Sequence, residues 1–394
     1  MEVPFFNYQY FSDKHGPAVL DIMRNVVERG AFIMQKDLAE FEKNLAVFVG
    51  VRHAIGVANC TDGLALSLET AGIRSGDEVI FPSHTFIATA GAINEVGGKP
   101  VPVDIASDHL IDPESIRAAI TSNTRAIVPV QLNGRVARMD TIQAIADQHD
   151  LVIVEDAAQS LGAMYMGTKA GAFGLSAAFS FYPAKVLGCF GDGGAVVTND
   201  DNVAEDIFAK RDHGRNKDGF VDRWGRNSRL DNIHAAVLNY FLDQYDNVMV
   251  RRREIAAIYD QELRGLNSLY LPPAPQKGGD YFDIYQNYEI EAEQRDELQA
   301  FLQEQNIGTL KQWGGHGVHQ FSDLGFAQSL QNVEKMMERA ILLPINMSLS
   351  DDEVLYVSKN IREFYNAGSC CIMANNRRTG SQSKNARCSD DQFR

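Results

Sequence analysis

Short apolar segments alternate with helical patterns in the first half of the chain, and this alternation constrains the fold more than any other feature. The apolar segments that predict buried strands are 54–58, 78–82, 100–104, 126–130, 151–154, 177–181 and 194–198. Strands that are apolar along most of their length, with helices between them, are typical of a mainly parallel sheet covered on both faces. The sequence therefore predicts an α/β fold for this region.

The pattern changes near residue 245. Residues 248–263 predict a long charged helix, 271–275 form a Pro-rich loop, and a strand at 286–290 and a helix at 295–305 follow. We expect a large domain over residues 1–245 with an N-terminal arm, and a smaller α+β domain over 246–365. The polar residues 366–394 have no apolar periodicity and predict a disordered tail.

Charge and cysteine content limit the partners and the compartment. The net charge of −15 argues against a nucleic-acid or membrane surface, because both need clustered Lys and Arg. The N-terminus lacks a signal-peptide pattern, and no apolar run is long enough to span a bilayer. Five cysteines without a CxxC pair fit a reducing compartment and predict no metal site. We therefore expect a cytoplasmic protein.

Two residues in this frame point to a pyridoxal phosphate (PLP) site. Asp156 follows the apolar run Val152–Val154, and Lys185 stands 29 residues later before a Gly-rich segment. An acid at the carboxyl end of a parallel strand lies where such sheets bind ligands, and it can pair with the pyridine nitrogen of PLP. A lysine can form an imine with the cofactor and later transfer protons. A helix N-cap and a surface lysine are the alternatives, but the pair together favours the cofactor.

PLP also requires donors for its phosphate, a donor for its ring hydroxyl and a flat side chain against its ring. Several other residues are candidates for these contacts. These candidates are Thr61, Asp62, Gly63, Phe86, Gln159 and Ser180. The turn that contains Thr61 joins a strand to a helix, where free N–H groups favour an anion. The alternatives are a plain N-cap for this turn, a core position for Phe86 and a surface amide for Gln159.

Several motifs taken together carry a resemblance to a known family. They are Asn59–Leu66, Val154–Ser160, Ser180–Lys185, Gly191–Gly194 and Gly225–Asp231. Over about residues 4–365 the chain resembles the sugar-nucleotide aminotransferases of the DegT/StrS type. These belong to the PLP enzymes of fold type I, which are similar to aspartate aminotransferase. The resemblance implies that fold, with a smaller α+β C-terminal domain.

The resemblance also implies residue roles. It implies that Lys185 forms the imine with PLP, Asp156 pairs with the pyridine nitrogen and Gln159 bonds the ring hydroxyl. It places Thr61, Asp62 and Ser180 at the phosphate. It further implies a homodimer with shared active sites, in which Asn227 reaches the neighbouring subunit's cofactor phosphate and Arg229 meets substrate. The alternative for Arg229 is an ion pair with Asp231.

The segment around the lysine bears on the reaction. Tyr182 and the glycine-containing stretch 187–194 resemble family members that act on 3-keto sugars rather than 4-keto sugars. The resemblance therefore implies amino transfer from glutamate to C3 of a UDP- or dTDP-linked keto sugar, for lipopolysaccharide, O-antigen or another surface glycan. The alternatives are C4 amination of a 4-keto-6-deoxy sugar and a non-catalytic PLP-binding regulatory protein. A related PLP-dependent dehydratase would carry His where Lys185 stands.

Two loops depart from the family pattern. Residues 32–36 stand where many members have a Gly, and residues 312–319 replace a His-Tyr-Pro segment. Both loops are expected near the sugar nucleotide. Trp313, His316 and His319 are therefore candidates to line the substrate pocket, although His319 is equally compatible with a structural role.

Overall fold

The structure, a computed structural model, describes the backbone of residues 1–379, and the side chains through residue 366. The helices are α1 (Tyr8–Glu28), α2 (Lys36–Val49), α3 (Cys60–Thr70), α4 (Ile87–Glu95), α5 (Pro113–Ala119), α6 (Met139–His149), α7 (Asp201–Lys210), α8 (Asn232–Leu242), α9 (Tyr245–Leu263), α10 (Arg295–Glu304), α11 (Gln331–Arg339) and α12 (Asp351–Thr379). The strands are β1 (His53–Val57), β2 (Glu78–Pro82), β3 (Lys99–Val103), β4 (Thr124–Ile127), β5 (Val152–Asp156), β6 (Met164–Tyr165), β7 (Thr168–Lys169), β8 (Ser176–Ser180), β9 (Gly194–Thr198), β10 (Leu269–Tyr270), β11 (Tyr281–Phe282), β12 (Tyr288–Ala292) and β13 (Ala340–Leu343). Short 3₁₀ turns span Gln312–Gly315, Val318–Gln320 and Ser322–Leu324.

The central sheet has seven strands in the order β1-β9-β8-β5-β4-β2-β3. Its strands are parallel except β9, which runs antiparallel to both of its neighbours. Each of the predicted apolar segments overlaps one of these strands, because a strand covered on both faces needs apolar side chains along its whole length. The predicted α/β class with a mainly parallel, helix-covered sheet is confirmed.

Helices α1 and α2 precede the sheet and were not part of the prediction. In α2 the side chains of Leu38, Phe41, Leu45 and Val49 recur every three or four residues and are buried in the main core. The helix ends at Gly50, whose φ of +88° is the left-handed conformation that favours glycine. The sequence signal for this helix is therefore an ordinary amphipathic one.

A second core lies in the C-terminal part of the chain, between α9, α10, α12 and the small sheet β10-β12-β13. Two segments cross the expected boundary at residue 245. Val3 is buried in this second core and pairs with Ile307, whereas β11 pairs with β6 of the N-terminal part. The domain limits stay a prediction, and these two contacts join the N-terminal and C-terminal parts of the chain.

The last helix is longer than expected. The backbone stays helical through Thr379, which is fourteen residues beyond the predicted end of the small domain at residue 365. The segment 366–379 contains no Pro, so no residue in it is sterically barred from continuing the helix. Residues 380–394 of the predicted tail lie outside the described residues. Within the described part of the chain, no helix is both long and apolar enough to cross a membrane.

Candidate active site

The sheet brings the main candidates to one edge. Asp156 is the last residue of β5 and Ser180 the last of β8, and these two strands run parallel with Asp156 opposite Ala178. Their carboxyl ends therefore meet, as expected for a ligand site in an open α/β sheet. Lys185 follows Ser180 in a loop at the same edge, and the N-terminus of α3 lies beside them.

A cavity of about 570 Å³ opens at this edge. The predicted residues that line it are Thr61, Phe86, Asp156, Gln159, Ser180, Tyr182, Lys185 and Trp313. The residues that line it without having been predicted include Phe6, Asn59, Cys60, Gln286, Asn287 and Gln312. The cavity therefore gathers side chains from distant parts of the sequence.

Asp156 is a buried carboxylate at the floor of this cavity. Its Oδ2 accepts a hydrogen bond of 2.7 Å from Thr89 Oγ1, and its Oδ1 accepts one of 3.2 Å from the backbone N–H of Ala158. Burial raises the pKa of this carboxyl, while the Thr89 hydroxyl opposes that rise. A buried carboxylate of this kind is stabilised by a cationic partner. The protonated pyridine nitrogen of PLP fits this position.

The Lys185 loop is held by a residue that the sequence did not reveal. Gln286 donates to the carbonyl oxygen of Ala184 through Nε2 at 3.0 Å, and its Oε1 accepts from the N–H of Val186 at 3.0 Å. One amide thus fixes the backbone on both sides of Lys185. Burial also lowers the pKa of the Lys185 amine, which increases the neutral fraction that imine formation requires.

Gln159 is oriented by two donors that share its amide oxygen. Its Oε1 accepts from the backbone N–H of Asn133 at 2.9 Å and from Asn287 Nδ2 at 3.4 Å. Because the amide oxygen is used in these bonds, the amide nitrogen is the group left to donate. This orientation fits a donor to the ring hydroxyl of PLP.

The phosphate candidates lie around the start of α3. Asn59 caps this helix, because its Oδ1 accepts from the N–H of Asp62 at 2.8 Å. Thr61 and Ser180 line the cavity and offer hydroxyl donors beside the helix N-terminus, which is favourable for an anion. Gly194 permits this arrangement, since an ideal Cβ there would lie 2.5 Å from the carbonyl carbon of Asn59.

Asp62 and Gly63 have other local roles. Asp62 supplies the N–H that the helix cap binds, and its side chain is absent from the cavity lining among the described residues. Gly63 sits against the sheet, where an ideal Cβ would lie 3.2 Å from the Ala178 and Val196 side chains. The glycine thus allows α3 to approach the strands closely. A direct cofactor contact for these two residues stays a prediction.

The flat-face and substrate candidates differ in their placement. Phe86 and Tyr182 lie at the cavity with 55% and 53% of their surface exposed, so both present rings to a ligand. Trp313 also lines the cavity, and its φ of +49° is unusual for a residue with a side chain. His316 does not border the described cavity, and its ring instead lies 6.4 Å from that of Phe321.

His319 is not a pocket residue in this structure. It is only 4% exposed, and its backbone N–H and its Nδ1 both contact Ser83 Oγ, at 3.0 and 2.6 Å. Its Nε2 lies 3.3 Å from Glu334 Oε1. The prediction that His319 lines the pocket is therefore replaced by the structural alternative, in which it joins the 312–319 loop to β2.

Asn227 and Arg229 lie away from this chain's cavity, on a segment beside Asp212. Asn227 pairs with Asp212 in an isolated antiparallel bridge, and Arg229 Nη1 lies 2.8 Å from Asp212 Oδ1. The ion pair of Arg229 is thus formed with Asp212, not with Asp231 as the alternative proposed. The roles expected for these two residues concern a neighbouring subunit and stay predictions.

Comparisons with known proteins find a matching family model and several similar relatives. Residues 15–362 match the DegT/DnrJ/EryC1/StrS aminotransferase family. The chain is 39% identical over 92% of its length to a Streptomyces venezuelae dTDP-3-amino-3,4,6-trideoxy-alpha-D-glucose transaminase, 96% of which is covered. It is 38% identical to a Geobacillus stearothermophilus pleiotropic regulatory protein, with 93% of the chain and 99% of the relative covered. It is also 38% identical to a Pseudomonas aeruginosa UDP-2-acetamido-2-deoxy-3-oxo-D-glucuronate aminotransferase, over 73% of the chain and 79% of the relative.

A solved structure is similar over nearly the whole fold. The crystal structure of S. venezuelae DesV in complex with a ketimine intermediate superposes with a TM-score of 0.88 at 38% identity. The match covers 92% of this chain and 98% of that one. The similarity therefore extends over most of both chains.

Proposed function

Because this chain belongs to the DegT/DnrJ/EryC1/StrS family and is a PLP-dependent sugar-nucleotide aminotransferase, we propose that it transfers the amino group of glutamate to C3 of a nucleotide-linked 3-keto sugar. The observation that carries the proposal is the convergence of Lys185, Asp156 and Gln159 on one cavity. Its product would be a 3-amino sugar nucleotide for a surface glycan such as lipopolysaccharide O-antigen.

The residues of the cavity fit PLP at each of its polar groups. Asp156 would face the pyridine nitrogen, Gln159 the ring hydroxyl, and Thr61 and Ser180 the phosphate. When bound, PLP supplies an electron sink for the carbon that gains or loses the amino group. Phe86 would cover one ring face and restrict the access of water.

Lys185 would serve two purposes. Its amine would hold the cofactor before substrate enters, and the same amine, when free, would accept a proton at Nζ and return it to a neighbouring carbon. Burial lowers the pKa of Lys185, which favours this role because a neutral amine is the form that accepts a proton. Gln286 would keep Nζ in place by fixing the backbone of residues 184–186.

The preference for C3 rests on Tyr182 and the stretch 187–194, and on the names of the relatives. The S. venezuelae relative is named for a 3-amino product and the P. aeruginosa relative for a 3-oxo substrate. One relative is named for a dTDP-linked sugar and the other for a UDP-linked sugar, so both nucleotides belong in the test. C4 amination of a 4-keto-6-deoxy sugar is the competing activity.

A homodimer would complete this site. An apolar cleft of about 520 Å³ opens beside Lys185, between α1 and residues 183–190. Leu20 and Phe190 on this side are 61% and 52% exposed, and Trp224, three residues before Asn227, is 93% exposed. Large exposed apolar side chains of this kind favour an interface. We include in the proposal that Asn227 and Arg229 act in the partner's active site.

A glutamate-dependent turnover assay tests the proposal. UDP- and dTDP-linked sugars with a 3-keto or a 4-keto group would be offered, and the mass of the product measured. Amination of a 3-keto sugar is the expected result, and amination of 4-keto sugars alone would overturn the C3 assignment. The regulatory name of the G. stearothermophilus relative favours one further alternative, a PLP-binding protein without turnover. That alternative would bind PLP yet leave its absorption spectrum unchanged when glutamate is added.

Mixing two inactive variants tests the shared site. Lys185→Ala and Asn227→Ala would each be inactive as homodimers if Asn227 serves the partner's site. A mixed dimer would contain one intact site, so mixing should restore part of the activity. No recovery in verified mixed dimers would contradict the shared arrangement.

A further inference from the structure

A buried carboxylate lies behind the cavity and takes no part in the proposed chemistry. Glu289, on β12, is 3% exposed and is surrounded by three polar neighbours. Its Oε1 accepts from Asn133 Nδ2 at 3.1 Å and from His109 Nδ1 at 3.1 Å. Its Oε2 lies 3.4 Å from His84 Nε2. Burying a carboxylate is costly, so these neighbours must compensate for its charge.

The charge of Glu289 is balanced by His109. Both ring nitrogens of His109 contact carboxylates, Nδ1 at Glu289 and Nε2 at Glu291 Oε1, 3.0 Å away. A histidine can donate from both nitrogens only when it is protonated. Hydrogen bonds to these two carboxylates raise the pKa of His109 to about 9 against the effect of burial, and the histidines hold the pKa of Glu289 well below its usual range. His109 and Glu289 are therefore both charged at neutral pH.

This ionic group connects to Gln159 through Asn133. The side chain of Asn133 donates to Glu289, while its backbone N–H donates to Gln159 Oε1 at 2.9 Å. Asn287 Nδ2 also donates to Asn133 Oδ1 at 2.8 Å. Asn133 has a φ of +55°, a left-handed conformation that a residue holds when its surroundings fix it. Glu289 thus anchors the residue that sets the orientation of the Gln159 amide.

The same group also supports the wall of the cavity. His84 Nδ1 donates to the carbonyl oxygen of His109 at 2.9 Å, with its Nε2 facing Glu289. The His84 ring packs edge-on against Trp313, with centroids 5.4 Å apart and planes at 69°. His84 is 1% exposed, so this ring has little freedom to move. Trp313 therefore packs against His84, whose Nε2 faces Glu289.

We propose that Glu289 is a positioning residue, which acts through Asn133 to fix the Gln159 amide against the cofactor's ring oxygen. The inference rests on the proposed PLP site. Glu289 is not among the described residues that line the Lys185 cavity, and its effect would reach the cofactor through Asn133 and Gln159. His84 passes a second, weaker constraint to Trp313.

The test is the pH midpoint of the visible absorption change of the PLP-loaded protein, measured for five variants and the unaltered protein. Gln159→Ala removes the final contact and defines the size and direction of the shift. Glu289→Gln should shift the midpoint in the same direction, by roughly 0.5–1 pH unit, because one hydrogen bond is lost or misaligned. Adding Glu289→Gln to Gln159→Ala should cause no further shift, since both act through one contact. The dissociation constant for PLP, measured in parallel, should weaken in the same variants.

Glu291→Gln is the matched control. It makes the same exchange on the same strand and also removes a carboxylate from His109, but its other contact is Arg339 and not Asn133. The midpoint of this variant should stay within about 0.2 pH unit of that of the unaltered protein. If Glu291→Gln shifts the midpoint as much as Glu289→Gln does, the general loss of charge is responsible and the inference is wrong.

A second variant keeps the inference testable if Glu289→Gln does not fold. Asn133→Gly removes the side chain that meets Glu289 but keeps the backbone N–H and suits the positive φ. It should reproduce the shift, and an unchanged midpoint in Asn133→Gly would refute the inference. A protein that shows no PLP absorption at all, with every variant folded, would instead refute the proposed function.

Discussion

The ion pairs of His109 with Glu289 and Glu291 make the stability of this protein depend on pH above neutrality. Hydrogen bonds to Glu289 and Glu291 raise the pKa of His109 from 6.5 to about 9 in the folded state. A histidine whose pKa is higher in the folded than in the unfolded state contributes its full stabilisation at pH values below its pKa in the unfolded state. That contribution is lost as the pH rises through the folded pKa. The relevant window is therefore pH 6.5 to about 9.

The magnitude follows from the size of this shift. One pKa unit corresponds to about 1.4 kcal/mol, so the rise to about 9 represents on the order of 3 kcal/mol of unfolding free energy. His109→Gln keeps a hydrogen-bond donor but cannot be protonated. At pH 6 the variant should be less stable than the unaltered protein by up to this amount, and the difference should shrink steadily toward pH 9.5.

Urea unfolding followed by circular dichroism at several pH values measures this difference. Subtracting the unfolding free energy of His109→Gln from that of the unaltered protein cancels the contributions of the other groups that titrate in this range, because both proteins share them. His53→Gln is a suitable control, because His53 forms an exposed ion pair with Asp201 that contributes little. A stability difference between the unaltered protein and His109→Gln that stays constant from pH 6 to 9.5 would refute the reasoning.

Three further predictions concern the cavity. Lys185→Ala should keep the far-ultraviolet circular dichroism spectrum but reduce turnover by at least about 10²–10⁴-fold, and unchanged transamination would contradict the site. Asp156→Asn should weaken PLP binding by about 10- to 150-fold in a fluorescence titration, since a hydrogen bond to a charged group contributes about 1.5–3 kcal/mol; equal affinity would remove Asp156 from the site. Gly194→Val should lower the unfolding free energy by about 1–3 kcal/mol and weaken PLP binding, because its side chain would push on the Asn59 carbonyl. Gly91→Ala, on an open face of α4, should do neither.

Features with a local sequence signal were predictable. The strands of the central sheet carry continuous apolar segments, and Asp156 and Lys185 stand at the ends of two such segments. These signals need only the neighbouring residues, because burial on both faces of a sheet imposes them strand by strand. Helix α2 carries an equally local signal in the helical period of its apolar residues.

Features that depend on distant contacts were not predictable. Gln286 binds the Lys185 loop from a position about 100 residues away, and Glu289 meets Asn133 across a separation of 156 residues. No local pattern distinguishes Gln286 or Glu289 from ordinary polar residues of a strand. For the same reason the sequence does not decide between a pocket role and a structural role for His319, since only the fold brings Ser83 against its ring.

The most direct test of the account is to locate the cofactor on the chain. The protein would be loaded with PLP, reduced with borohydride to fix the covalent link, digested and mapped by mass spectrometry. The account predicts that the cofactor mass is found on the peptide that contains Lys185, and that prior addition of glutamate abolishes this labelling. Labelling of a different lysine, or labelling of Lys185 that glutamate does not affect, would contradict the assignment of this cavity as an aminotransferase active site.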